Sequence, residues 1–158
     1  MKGKKTLALA LCAATLLACA GCGISFMDFA AEGVPQLTRI DFDFAAAGYT
    51  LCLVDSFSDH CGSTHDYASI AREMTSVAQF FGKKYLREVP ESMLLPALAR
   101  LREETGDRAV LRALHFFGEN RRVIAQAKAL AAGDTDEFLR LVTESGQSSW
   151  TYLQNVVT

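Results

Sequence analysis

The sequence predicts an α+β domain in which helices dominate, with one or two strands ahead of about five helices. Three observations carry this. Apolar residues recur at three- and four-residue steps through most of the chain beyond residue 66, glycines stand singly where those runs end, and β-prone alternation is confined to residues 41–54. At 158 residues, half of them hydrophobic, the chain is long enough for one domain with its own core. Lys and Arg number 16 against 18 Asp and Glu, a formal net charge of −2 that gives no electrostatic basis for nucleic acid as a partner.

The first 22 residues stand apart. Met1 to Lys5 is basic, Thr6 to Ala18 is apolar and uncharged, and the small residues Ala20 and Gly21 precede Cys22. That order is the order of a secretory signal peptide. A cysteine after the small pair also resembles the lipobox of bacterial lipoproteins, which makes Cys22 the expected lipid attachment point. The box usually has Leu three residues before its cysteine, where this chain has Cys19, so Leu16-Leu17-Ala18-Cys19 is a competing box. An apolar run of about 13 residues is too short for a bilayer core that needs about 20. The expectation is an envelope protein held at the membrane by a lipid.

Residues 23–40 read as a linker, because Ile24 to Thr38 has no clear period and includes Gly33 and Pro35. Asp41 to Phe44 alternates like a half-buried strand, and Tyr49 to Val54 reads as a strand buried on both faces. Thr64 or Asp66 can then cap a helix that carries Tyr67, Ile70, Met74, Val77 and Phe81 on one face and stops at Gly82. Pro90 opens a second helix, about Glu91 to Glu104, that Pro96 should kink or shorten. The longest follows from about Arg108 to Ala131, with Asp107 as its cap and Val110, Leu114, Phe117, Ile124 and Leu130 buried. Asp134-Thr135-Asp136 caps a fourth with Phe138, Leu139 and Val142, closed by Gly146, and Ser148 or Ser149 starts a last one with Trp150 and Leu153 inward.

Five cysteines do not form a spaced framework, since Cys12, Cys19 and Cys22 lie in the apolar leader. Cys19-Ala20-Gly21-Cys22 spells CxxC but has no second pair to complete a zinc site, and His60, Cys61 and His65 lack a fourth ligand at motif distance. No metal site is expected. His115 beside Leu114 and Phe117 reads as packed or solvated, and Glu119 with Arg121 and Arg122 as a solvated helix face.

The stretches DFDFAAAGYTLCLVDS, DHCGSTHDYASIAREM, FFGKKYLREV, GDRAVLRALHFFGENRRV and ESGQSSWTYLQNV, in that order, resemble the second half of bacterial galactokinases, members of the GHMP kinase superfamily. The resemblance runs from Asp41 to Val156 and implies a partial GHMP-kinase C-terminal domain over residues 41–158. It implies a sheet completed by segments beyond those present here, so a gene fragment is among the readings. It also implies ATP and magnesium as cofactors, galactose as substrate, transfer to its 1-hydroxyl, and a cytoplasmic setting that competes with the export signal. The family is known for an Arg-Val-Asn-Leu-Ile-Gly-Glu-His segment, a Gly-Leu-Ser-Ser-Ser-Ala phosphate loop and a late Gly-Gly-Gly-Phe-Gly-Gly segment. None of the three occurs in these residues, so catalysis by this chain alone is not expected.

Two family positions do find counterparts. A family Cys-Gly-Ile/Leu-Met-Asp-Gln loop resembles Cys22-Gly23-Ile24-Ser25-Phe26-Met27-Asp28-Phe29, with two intruding residues and Phe29 for Gln. Asp28 is then the catalytic carboxylate that orients or deprotonates the acceptor, the alternative being a solvated Asp in a linker. A family turn Thr-Gly-Gly-x-His-Ala-x-Leu-Thr-x-Asp-Tyr resembles Ser56 to Tyr67, keeping His60, Thr64, Asp66 and Tyr67 and losing both glycines. Tyr67 is then the substrate-binding residue, the alternative being an apolar anchor of its helix.

Overall fold

The computed structural model describes residues 24–28, 35–50, 52 and 64–155. Within them lie two strands, β1 (Ile24–Asp28) and β2 (Gln36–Ile40), and four α-helices, α1 (Thr64–Phe80), α2 (Leu98–Thr105), α3 (Asp107–Ala131) and α4 (Thr135–Ser148). Short 3-10 segments at Leu86–Glu88 and Glu91–Met93 join α1 to α2, and a π-helical turn, Ser149–Leu153, extends α4. The mostly helical α+β class is as the sequence predicts. Among the described residues no helix is long and apolar enough to cross a membrane.

Helix α1 buries Ile70, Val77 and Ala78 while Tyr67 and Met74 are half-buried, the face that the sequence spacing gives. Gly82 then takes φ of +69°, which lets Lys83 N–H reach back to the Ala78 carbonyl at 2.9 Å. The second helix is shorter than its periodicity suggests. Pro96 has no N–H for an intrahelical bond and its ring crowds the preceding turn. Residues 91–97 consequently run as a 3-10 segment and a turn, and regular α-helix begins only at Leu98. Leu94 and Leu101 still reach the core, at 1% and 0% exposure.

Gly106, not Asp107, is the N-cap of α3, and Asp107 instead turns to Arg102 at 2.5 Å. Helix α3 is the spine of the fold. Its N-terminal half packs Ala109, Val110, Ala113, Phe116 and Phe117 against Val77, Leu86, Val89, Leu94 and Leu101 in the larger core cluster. Ile124, placed on the buried face by sequence, is 49% exposed. Asp134 caps α4 as predicted, accepting from Glu137 N–H at 3.0 Å, an interaction worth about 1 kcal/mol. Helix α4 buries Phe138, Leu141 and Ser148; Leu139 and Val142 sit on the next face and are exposed. Gly146 does not end it. The helix runs on into the π turn, where Leu153 is buried but Trp150 is 62% exposed, and Gln154 at φ of +57° makes the stop.

The strands lie in the segment read from sequence as connecting chain. They pair antiparallel with Ile24 opposite Ile40, Phe26 opposite Thr38 and Asp28 opposite Gln36. Ile24 and Ile40 pack with Ala129, Leu130 and Phe138 in a second core cluster. Asp41 to Phe44, expected as a strand, has no ladder. Asp43 Oδ1 accepts from the N–H groups of Ala45 (2.9 Å) and Ala46 (3.2 Å), which bends the chain into a turn. The alternation of its phenylalanines is still used, since Phe42 and Phe44 meet edge to face and Phe44 lies 5.7 Å from Phe138. Tyr49, Thr50 and Cys52 are exposed and outside any strand, while Leu51, Leu53 and Val54 lie outside the described residues.

Candidate functional site

The hairpin and the C-terminal half of α3 enclose an open cleft of about 740 Å³. From α3 come Ile124, Ala127, Lys128 and Ala131, whose three- and four-residue spacing sets them on one helical face. From the hairpin come Phe26, Asp28, Thr38, Arg39 and Ile40, followed by Asp41. Half of these residues are apolar, and two carboxylates, two cations and Thr38 make up the rest.

Asp28 ends β1 and faces Arg87, at 3.5 Å. Arg87 belongs to the 3-10 segment Leu86–Glu88, anchored by the buried Leu86 and by Glu88 Oε2, which accepts from Lys84 and Tyr85 N–H at 3.0 and 3.2 Å. Asp28 thus ends a strand, its side chain 40% exposed beside the cation of Arg87. Tyr67 lies half-buried in the first turns of α1 and does not line this cleft. The two residues singled out from the sequence thus occupy different parts of the fold. Cys22, His60 and Cys61 lie outside the described residues, and His65 is in the first turn of α1. Arg39, Asp41 and Lys128 went unrecognised in the sequence, because a hairpin that periodicity does not reveal supplies two of them.

Away from the cleft, α3 and α4 share a buried polar seam. His115 is 2% exposed, and its Nδ1 lies 2.9 Å from Ser148 Oγ. Burial, reinforced by the positive charge of Arg122, brings its pKa down from 6.5 to about 4. Glu119 and Arg122 form an ion pair, and Ser145 Oγ donates to Glu119 at 2.8 Å. Glu119 is buried, which corrects the expectation of a solvated face for this pair; Arg121, paired with Glu91, does remain exposed. The seam's charges are matched among its own members, which suits holding helices together rather than chemistry on a ligand.

No family model matches the chain. Curated relatives do. The galactokinase of Glaesserella parasuis is 35% identical over 101 residues, 64% of this chain and 26% of the relative. That of Thermotoga petrophila is 34% identical over 101 residues, 64% and 27% of the two chains, and that of Streptomyces coelicolor 35% over 97 residues, 61% and 24%. The matched stretch is galactokinase-like. The chain spans about a quarter of the length of the galactokinases it matches, consistent with a partial C-terminal region.

Proposed function

We propose that the chain is a partial galactokinase-family body that recognises galactose and does not complete phosphoryl transfer by itself. The observation that supports this reading is the match of 101 residues at about one-third identity to proteins named as galactokinases. The family reaction moves the γ-phosphoryl group of ATP, with magnesium, to the 1-hydroxyl of galactose. In this reading Asp28 orients the acceptor hydroxyl and Arg87 fixes its carboxylate, while Tyr67, outside the cleft that Asp28 lines, serves as an apolar anchor of its helix.

Among the described residues no three His, Cys, Asp or Glu side chains group together as a metal site, and the N-terminus of α4, otherwise suited to phosphate, is capped by the Asp134 carboxylate. A coupled ADP-release assay with galactose and magnesium-ATP should give no turnover above buffer. Turnover that is lost in Asp28→Asn would overturn the non-catalytic reading and place the carboxylate in the reaction.

A second reading is favoured by residues 1–22, whose basic, apolar and small-residue order leads to Cys22. It makes the chain a lipid-anchored envelope protein whose kinase-derived body binds or supports without catalysis. Radioactive palmitate, supplied to bacteria expressing the full chain, should label it and fail to label Cys22→Ala; label lost only in Cys19→Ala moves the attachment point. Absence of label in the unaltered chain refutes the anchor.

A further inference from the structure

The outward face of α4 and of the π turn that extends it carries an apolar stripe that the core does not use. Leu139, Val142, Gly146 and Trp150 follow one another at steps of three, four and four residues, which sets them along one side of the helix. Phe138, Leu141 and Ser148 point the other way, into the fold. Leu139, Val142 and Trp150 are 38%, 42% and 62% exposed, and Trp150 is the one tryptophan of the chain. Single apolar side chains on a surface need no explanation, but three in line on one helix form a patch that a partner can cover.

Gly146 lies in the middle of this stripe and inside a continuous helix, where glycine is less favourable than any residue but proline. Nothing within the chain demands it. Its backbone is ordinary α-helix, and a Cβ built there meets no atom within 4 Å. A bare backbone at the centre of an apolar stripe is where a second helix can approach closely. The stripe is also symmetrical about that glycine, since Val142 lies four residues before it and Trp150 four after. Two antiparallel copies of α4 that cross at Gly146 therefore bring each Trp150 over the other's Val142, the self-complementary contact of a two-fold dimer.

Charge favours a second copy over a charged partner. No residue from Ser145 to Asn155 is charged, and Arg140 is paired with Glu137 and Glu144 of its own helix. Like charges thus do not face each other at the crossing, and a strongly charged surface finds no counterpart there. Area sets the strength. One fully covered aromatic side chain buries about 150 to 250 Å². A contact of one tryptophan and two aliphatic side chains per copy falls well short of the about 1,600 Å² of a standard interface, so the pair belongs to the weak, reversible class.

We infer that α4 pairs with α4 of a second copy of this chain, antiparallel and crossing at Gly146, in a weak homodimer with Trp150 of each chain seated over Val142 of the other. The pairing uses the surface of α4 alone, so it stands or falls apart from the kinase reading.

Sedimentation velocity of the full chain over a dilution series should show a monomer–dimer equilibrium with a midpoint of about 10 to 300 µM. Trp150 emission should move to shorter wavelength along the same curve, because pairing takes the exposed ring out of water. Gly146→Gln should weaken the dimer at least about tenfold and leave the urea midpoint of the monomer unchanged or raised, since the added side chain meets nothing in its own chain. Trp150→Ser should also weaken the dimer at least about tenfold, with an unchanged circular-dichroism spectrum. A chain that stays monomeric up to about 1 mM, an assembly larger than a dimer, or association that either variant retains undiminished overturns the inference.

Discussion

Replacing Arg112 by Ala is expected to lower the free energy of unfolding by about 3 to 5 kcal/mol, the range for removing one member of a buried ion pair. Arg112 projects from α3 and is 3% exposed. Its Nε donates to the Leu153 carbonyl at 3.1 Å, and its Nη1 donates to Ser69 Oγ at 2.9 Å and to Glu73 Oε2 at 2.8 Å. One planar guanidinium therefore joins α1, α3 and the π turn. Its loss strands the Leu153 carbonyl, opens a void, and releases the turn from the helices. Arg112→Lys should recover little, because an ammonium cannot span the same fork. Arg108 provides the control. It meets the same Glu73 carboxylate at 2.6 Å but is 57% exposed, so Arg108→Ala should cost within about 1 kcal/mol. Urea unfolding followed by far-ultraviolet circular dichroism measures all three. Equal losses for the two Ala variants would mean that Arg112 acts only as a surface charge. Hydrogen exchange adds a local readout, since Gln154 N–H, bonded to the Ser149 carbonyl, should lose protection in Arg112→Ala.

The helices were legible wherever burial followed a single stripe and a glycine marked the end. Helix α1 is the clearest case, its Ile70 and Val77 inward and Gly82 at its close. The fourth helix shows where this fails. Phe138, Leu139 and Val142 are similar as letters, but only Phe138 is buried, because the neighbour on that side is α3 and the hairpin cluster rather than a layer on both faces. Gly146 looked like a stop and is not, since backbone hydrogen bonding continues through it into the π turn. The hairpin was illegible for a different reason. In β2 four of five residues are exposed, and in β1 the outward Met27 is apolar, so neither strand shows a clean two-residue period. Asp28 therefore stands out in the sequence only through its resemblance to a family loop, and no local signal marks its neighbours in the cleft. The buried state of Glu119 was equally hidden: its partner Arg122 is near in sequence, but the Ser145 hydroxyl that completes the contact comes from α4.

Acidification should destabilise the fold through His115. In the folded chain its pKa is about 4 instead of 6.5, chiefly because burial penalises the charged ring and secondly because Arg122 repels it; the hydrogen bond with Ser148 works in the other direction. The folded state therefore binds fewer protons than the unfolded state between those two values. Above pH 6.5 the ring is neutral in both states and its full contribution is present. As pH falls from about 6.5 to about 4 only the unfolded chain gains the proton, and stability drops by about 3 kcal/mol. Below about pH 4 both states are protonated and this loss stops growing. Carboxylates titrate near the lower end of the window, so the informative quantity is a difference between two proteins. His115→Gln removes the titrating group and keeps a polar side chain facing Ser148, at the cost of poorer packing at every pH. The stability gap between the unaltered chain and this variant should narrow by about 2 to 3 kcal/mol between pH 8 and pH 4.5. A gap that stays constant across that range would mean that His115 titrates in the folded chain as it does in the unfolded one. The imidazole resonance in a proton-detected titration tests the same point directly, because a midpoint near 6.5 is incompatible with a ring sealed between α3 and α4 and facing Arg122.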